Sequence, residues 1–205
     1  MWALAPLYPQ SRWPLLLPAA LAVWLIMNSQ RLRGETWYDV GFRRQDFGRA
    51  CKLLCLPMLL AIAVMCLIGW RTHSFQRNTH FALNLFIVPL WGLVQQYVTQ
   101  GFLYRRVRFL LVTEPVSSSV QQRQARWAIV LSAALFALVH LPNPALTLLT
   151  LAGGLLWSWV YERAPNLWAL GLSHGILSSV LMHSMPAWFL PSMSIGYKHF
   201  LYQKF

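Results

Sequence analysis

The sequence predicts an all-α, polytopic membrane protein of about six transmembrane helices, and three observations carry that reading. Of its 205 residues, 57% are hydrophobic and only 11% are charged, against about 45–50% and about 25% in soluble globular chains. The apolar residues form long continuous runs, which six spans of about 20 residues would accommodate. They do not show the alternation of a membrane β-barrel. The basic residues are unevenly placed: six fall between Arg31 and Lys52 and five between Tyr104 and Arg126. That is the asymmetry of loops kept on the cytoplasmic side. The net charge of +12 therefore reads as membrane topology, and nucleic-acid binding is not expected. Disorder and a secreted disulfide scaffold are excluded by the same composition. Cys51, Cys55 and Cys66 lack a CxxC or Cys/His ligand pattern and read as small packing residues.

Along the chain, the first apolar run, Trp13–Met27, contains Pro14 and Pro18. Ala20-Leu21-Ala22 resembles a cleavage site, but the run continues beyond it, so an uncleaved first helix is expected. A basic loop follows over 28–52, with an amphipathic surface piece expected around Trp37–Phe47. The second span is read at Leu53–Trp70 and the third at Ala82–Tyr104. A polar loop containing Glu114 precedes a fourth span at Arg126–Leu141. Pro142-Asn143-Pro144 breaks the chain, because proline removes backbone donors and restricts the residue before it. The fifth span is Ala145–Tyr161, where Gly153-Gly154 offers a face for close helix approach. The sixth is Leu167–Met182. The tail, broken by Pro186 and Pro191, is expected to be interfacial or a short seventh segment. The whole chain, 1–205, reads as one membrane domain: N-terminal helices and basic loop over 1–81, a core over 82–183 and a tail over 184–205. Loops 28–52, 104–126 and 162–166 should share the cytoplasmic side, with His73, His80, His183 and His199 near the interfaces.

Polar side chains inside spans are costly and are commonly functional. Those read at depth here are Asn84, Gln95, Gln96, Thr99, Gln100, His140, Ser173, His174, Ser178 and Ser179. Gln96 and Gln100 are four apart and should share a helix face. Gln96 and His174 each lie about 12 Å from the cytoplasmic end of their spans at 1.5 Å per residue. A Gln pair and a His can thus occupy one layer. His140 joins that layer if the fourth helix starts outside the bilayer, which the polar run Gln121–Gln124 permits.

With these residues in place, the chain resembles the CPBP family, the group of CAAX-type and bacteriocin-processing intramembrane proteases also called Abi. The family's EExxxR-Gly motif corresponds to Gln95-Gln96-Tyr97-Val98-Thr99-Gln100-Gly101. Its FxxxH corresponds to Phe136–His140. Its HxxxN or HxxxD corresponds in part to His174-Gly175-Ile176-Leu177-Ser178. The resemblance spans roughly residues 85–182 and implies a CPBP-like core bundle with an intramembrane site near the cytoplasmic leaflet. It implies His140, His174, Gln95 and Ser178 in the catalytic positions. Phe136, Gln96, Gln100 and Asn143 would line or support the site, and no cofactor or metal is expected. His140 would assist water activation, and His174 with Ser178 would polarise the scissile carbonyl.

The departures from the family pattern are coordinated. Gln95 stands where a glutamate activates water, and a neutral amide cannot take that proton. Gln96 and Gln100 replace a Glu and an Arg together. Losing one alone would leave a buried unpaired ion costing about 3–5 kcal/mol, whereas two amides can still hydrogen-bond. The glutamines also fit a simple helix–helix clamp. Ser173 beside His174 is no dyad, since adjacent residues point to different helix faces. Two functions follow: intramembrane peptide-bond hydrolysis with a degenerate site, or a non-catalytic pseudoenzyme that binds or assembles. The expected partners are the lipid bilayer and a hydrophobic or prenylated peptide or a membrane protein, in a bacterial inner membrane.

Overall fold

In the computed structural model, residues 13–75, 81–111, 118–196 and 199 are described. Six helices succeed one another: α1 (Trp13–Leu32), α2 (Phe47–Arg71), α3 (Phe81–Leu111), α4 (Ser118–Leu138), α5 (Pro144–Arg163) and α6 (Leu167–Ser184). No strand occurs among the described residues. The loop read around Glu114 lies outside them. Among the described residues three helices are both long and apolar enough to cross a membrane, α2, α3 and α5. The polar start of α4 and the His and Ser residues of α6 dilute the hydropathy of those two. Helix α6 carries such residues because it is enclosed, packing against α3 and α2. Polar groups there need not face lipid. The protein is an all-α integral membrane protein.

Glycine sets the tightest contact. Gly171 and Gly175, four apart on α6, face α3. A methyl group on Gly175 would stand 2.3 Å from Pro89 Cα, and one on Gly171 would stand 2.7 Å from Leu93 Cα. From the other side, one on Gly92 would meet Gly171 O at 2.8 Å. The two backbones therefore nearly touch, as small-xxx-small pairs permit in membranes. Gly154 plays the same part between α5 and Ala133 of α4, while Gly153 accommodates the Trp157 ring of its own helix.

Two asparagines start the last helices. Asn143 Oδ1 accepts from Leu146 N and Asn166 Oδ1 from Ala169 N, each capping an otherwise unpaired donor. Asn166 Nδ2 also donates to Arg43 O and Gln45 O, which draws the 33–46 loop beneath the α5–α6 turn. That loop, where an amphipathic surface piece was expected around Trp37–Phe47, is a series of turns with Trp37 and Tyr38 exposed. Val40 and Gly41 are buried, Gly41 has φ +105°, and its carbonyl accepts from Leu167 N at 2.9 Å. The loop thus plugs one end of the bundle. Helix α2 begins at Phe47, six residues before the expected span.

The opposite end is closed by the 72–75 turn, the 139–143 turn and the tail. Ser74 Oγ donates to Ser184 O, Asn143 Nδ2 to Ser192 O and Gly196 N to Leu141 O. Residues 185–196 form no helix. His183 and His199 are buried within the protein. His183 is held by Ser179 O and the Phe81 ring.

Candidate functional site

Tight α3–α6 packing places Gln96 directly against His174, with Gln96 Nε2 3.0 Å from His174 Nδ1. Both side chains are buried. An amide nitrogen only donates, so Nδ1 accepts and the neutral ring carries its proton on Nε2. Trp157 of α5 lies flat on the same imidazole, with ring centroids 4.3 Å apart and planes 7° from parallel. Its indole Nε1 donates to Ser173 Oγ at 3.0 Å. Ser173 thus acts on its neighbour's stacking partner.

His140 sits in the turn just beyond α4, and its Nδ1 lies 2.7 Å from Phe136 O. A carbonyl only accepts, so Nδ1 carries the proton and Nε2 keeps its lone pair. The two imidazoles are therefore opposite tautomers. Phe136 joins them, its ring edge-on to His140 at 4.8 Å and to His174 at 6.1 Å. Helix α4 begins at Ser118, eight residues before Arg126; this extension lets Phe136 and His140 reach the level of His174.

The glutamines are arranged differently from the helical expectation. A π-helical stretch, Tyr97–Tyr104, begins immediately after Gln96, a widening that recurs at functional sites. Gln96 is committed to His174, and no Gln96–Gln100 hydrogen bond forms. Gln100 is fully buried, and both its amide atoms are without a hydrogen-bond partner. The buried Oε1 atoms of Gln95 and Gln96 and the hydroxyls of Ser132 and Ser158 are likewise unpaired. Gln95 as a residue is half-buried.

Asn143 is occupied by its helix cap and by Ser192 O. Ser178 is half-buried, and the hydroxyl that links α6 to α3 belongs to Ser179, which donates to Asn84 O at 3.3 Å. Trp157 and the Gly171/Gly175 pair are site-forming residues that sequence reading passed over. The GxxxG spacing was the available signal for the glycines; for Trp157 there was none, because only the α5–α6 packing brings it to His174. Among the described residues no three His, Cys, Asp or Glu side chains gather as a metal ion would require.

The family model described as type II CAAX prenyl endopeptidase Rce1-like matches residues 75–180. The chain belongs to that family. The match takes in α3, α4 and α5 and all of α6 except its last turn, hence every residue that converges on the two histidines. No curated protein and no solved structure matches the chain. The site itself holds amides, imidazoles and aromatic rings.

Proposed function

We propose that the chain hydrolyses a peptide bond within the membrane, slowly, on a hydrophobic or prenylated peptide. The observation that carries this reading is the opposed pair of tautomers around Phe136. His140 Nε2 is a base with a free lone pair, and His174 Nε2–H is a donor. His140 takes a proton from water as the oxygen attacks the carbonyl carbon. His174 donates to the resulting oxyanion, with the Ser178 hydroxyl as a further donor. The C–N bond then breaks, and protonated His140 returns its proton to the leaving amine. The products are a carboxylic acid and an amine. Gln95 Oε1, a buried acceptor, orients the water without deprotonating it.

A second reading, a non-catalytic binding or assembly subunit, is favoured by the amide at position 95. The deciding experiment is cleavage of a fluorogenic prenylated peptide by the protein in proteoliposomes. Slow turnover by the native chain, its loss in His140→Ala and a gain of about a hundredfold in Gln95→Glu, the scale of general-base catalysis, support the enzyme. Turnover unchanged in His140→Ala overturns it. If the native chain cleaves nothing while His140→Ala disrupts a membrane complex, the binding reading takes its place.

A further inference from the structure

Away from the histidines, at the basic end, a cavity of about 470 Å³ opens beside the last turns of α3. Four guanidinium groups line it, Arg33, Arg105, Arg106 and Arg108, against two carboxylates, Glu35 and Glu162. Glu35 is occupied by Arg105 and Arg106, at 2.8 and 2.6 Å. That leaves Arg33 and Arg108. Arg33 lies over the Phe109 ring at 4.1 Å and meets no carboxylate among the described residues. Arg108 reaches Glu162 only through Nε, at 3.5 Å, and Glu162 also accepts from the Tyr104 hydroxyl. Arg108 Nη1 is buried with no hydrogen-bond partner. A buried guanidinium donor left unpaired is costly. It calls for an acceptor that the described residues do not supply. On its other side Arg108 borders a second cavity of about 760 Å³, lined also by Arg126 and Arg163. The positive field around Arg108 is therefore not local to one wall.

The shape of the opening limits what can fill it. Phe109, at the rim, is 56% exposed and its neighbour Leu110 is 71% exposed. The cavity thus passes from arginines directly onto an apolar helix face. A ligand that matches both has an anionic oxygen-rich head and a hydrocarbon tail. Arginine pairs bind phosphate oxygens in a fork geometry that a carboxylate-poor site leaves available, and basic pockets between helices recognise lipid headgroups. We propose that this cavity binds the phosphate of an anionic phospholipid, with Arg33 and Arg108 as its ligands and the acyl chains laid along Phe109 and Leu110. The site is independent of the histidine chemistry and stands whether or not the protein is an enzyme.

The test uses the full chain in detergent, titrated with phosphatidylglycerol or phosphatidylcholine and read by native mass spectrometry. The native protein should retain phosphatidylglycerol in preference to phosphatidylcholine. Arg33→Gln/Arg108→Gln should weaken that binding by about fivefold for each arginine, the scale of one basic contact at a membrane surface. The charge-matched control Arg44→Gln/Arg49→Gln, on exposed residues outside the cavity, should leave it unchanged. Equal weakening by both pairs would reduce the effect to general surface charge and overturn the site. Should Arg33→Gln/Arg108→Gln fail to fold, Arg33→Gln alone, which breaks no ion pair, must still lower phosphatidylglycerol binding. Displacement of the lipid by millimolar inorganic phosphate or diphosphate would assign the cavity to a free phosphate and overturn the lipid reading.

Discussion

Helix α3 passes through two polar regions held by opposite means. Near Arg105 and Arg106 the ties are full charges: Glu35 accepts from both arginines, and Arg105 also donates to Asp39 O. Around Gln96, farther into the bundle, every tie is neutral: amide to imidazole, indole to hydroxyl, ring on ring. Charges at the end of a bundle keep partial contact with water and cost little to hold. In the interior an ion must be paired completely or be absent. The difference explains why neutral amides suit this interior, and why some of them remain unpaired without the penalty an ion would carry.

The largest expected effect tests the packing that brings the two regions onto one rigid helix pair. Gly175→Val would drive its side chain into the Pro89 backbone, which cannot retreat as a flexible side chain could. Loss of monodisperse folded protein is expected, a destabilisation beyond about 4 kcal/mol. Gly34→Ala, where an added carbon meets nothing within 4 Å but φ is +65°, should cost about 1 kcal/mol. A Gly175→Val protein that purifies and melts like the native one would show that α3 and α6 do not meet as described, and Gln96 and His174 would lose their positioning.

Next in size is recharging the interior. Gln96→Glu would bury a carboxylate beside His174. The expected cost is about 3–5 kcal/mol. Adding Gln100→Arg should recover a large part. Gln100 lies four residues on, fully buried with both amide atoms unpaired, and the resemblance implies an ion pair at these two positions. If Gln96→Glu alone were neutral in thermal unfolding, the interior would be wetter than its burial implies and the contrast between the two regions would fail.

How much of this was legible in the sequence depends on the range of the interaction. FxxxH was readable because four residues make one turn, so Phe136 and His140 must be neighbours, and they are. Gln96 and His174 were placed at one depth by counting residues from the span ends, and the glycine contact brings them together. The stacking of Trp157 on His174 was not readable, since both rings sit in long apolar runs with nothing to mark the pair. Nor was the π-helical stretch, because the sequence of Tyr97–Tyr104 fits an α-helix equally well and packing decides. The course of the 33–46 loop was not readable either, because the contacts that fix it lie far along the chain: Asn166 binds the carbonyls of Arg43 and Gln45, and Leu167 N binds that of Gly41.

At the charged end the expected effect is smaller and depends on pH. Hydrogen bonding from Arg106 is the main influence that draws the Glu35 carboxyl from its ordinary 4.5 to about 2; desolvation opposes it and Arg105 adds to it. Because the folded state lowers this pKa, its contribution is complete above about pH 4.5 and is lost as pH falls toward 2. Glu35→Gln should cost about 2 kcal/mol at neutral pH, within the range of charge-assisted bonds, and should flatten the acid limb of a stability–pH curve. An unchanged acid limb in Glu35→Gln would mean that the loop is held by its other ties, among them Asn166, Tyr161 and the Gly41 carbonyl, and not by the Glu35 ion pairs.

The smallest expected effect probes a single neutral tie. Ser173→Ala removes the acceptor of Trp157 Nε1 and also the hydroxyl's own bond to Leu170 O. A net loss near 1 kcal/mol is typical of one such bond, and alanine's better helix propensity offsets part of it. Stability should therefore fall by about 1 kcal/mol or less, which chemical denaturation can resolve by comparison with the native chain. The functional consequence is separable. Trp157 without its tether can tilt away from the parallel arrangement with His174, while Gln96 still holds Nδ1 and His140 is untouched. If peptide turnover drops by more than the stability change accounts for, and Ser173→Thr restores it by returning a hydroxyl, ring stacking positions the His174 donor. If turnover and stability both stay at native values, the indole–hydroxyl bond contributes nothing. The neutral region would then rest on Gln96 and the glycine packing alone.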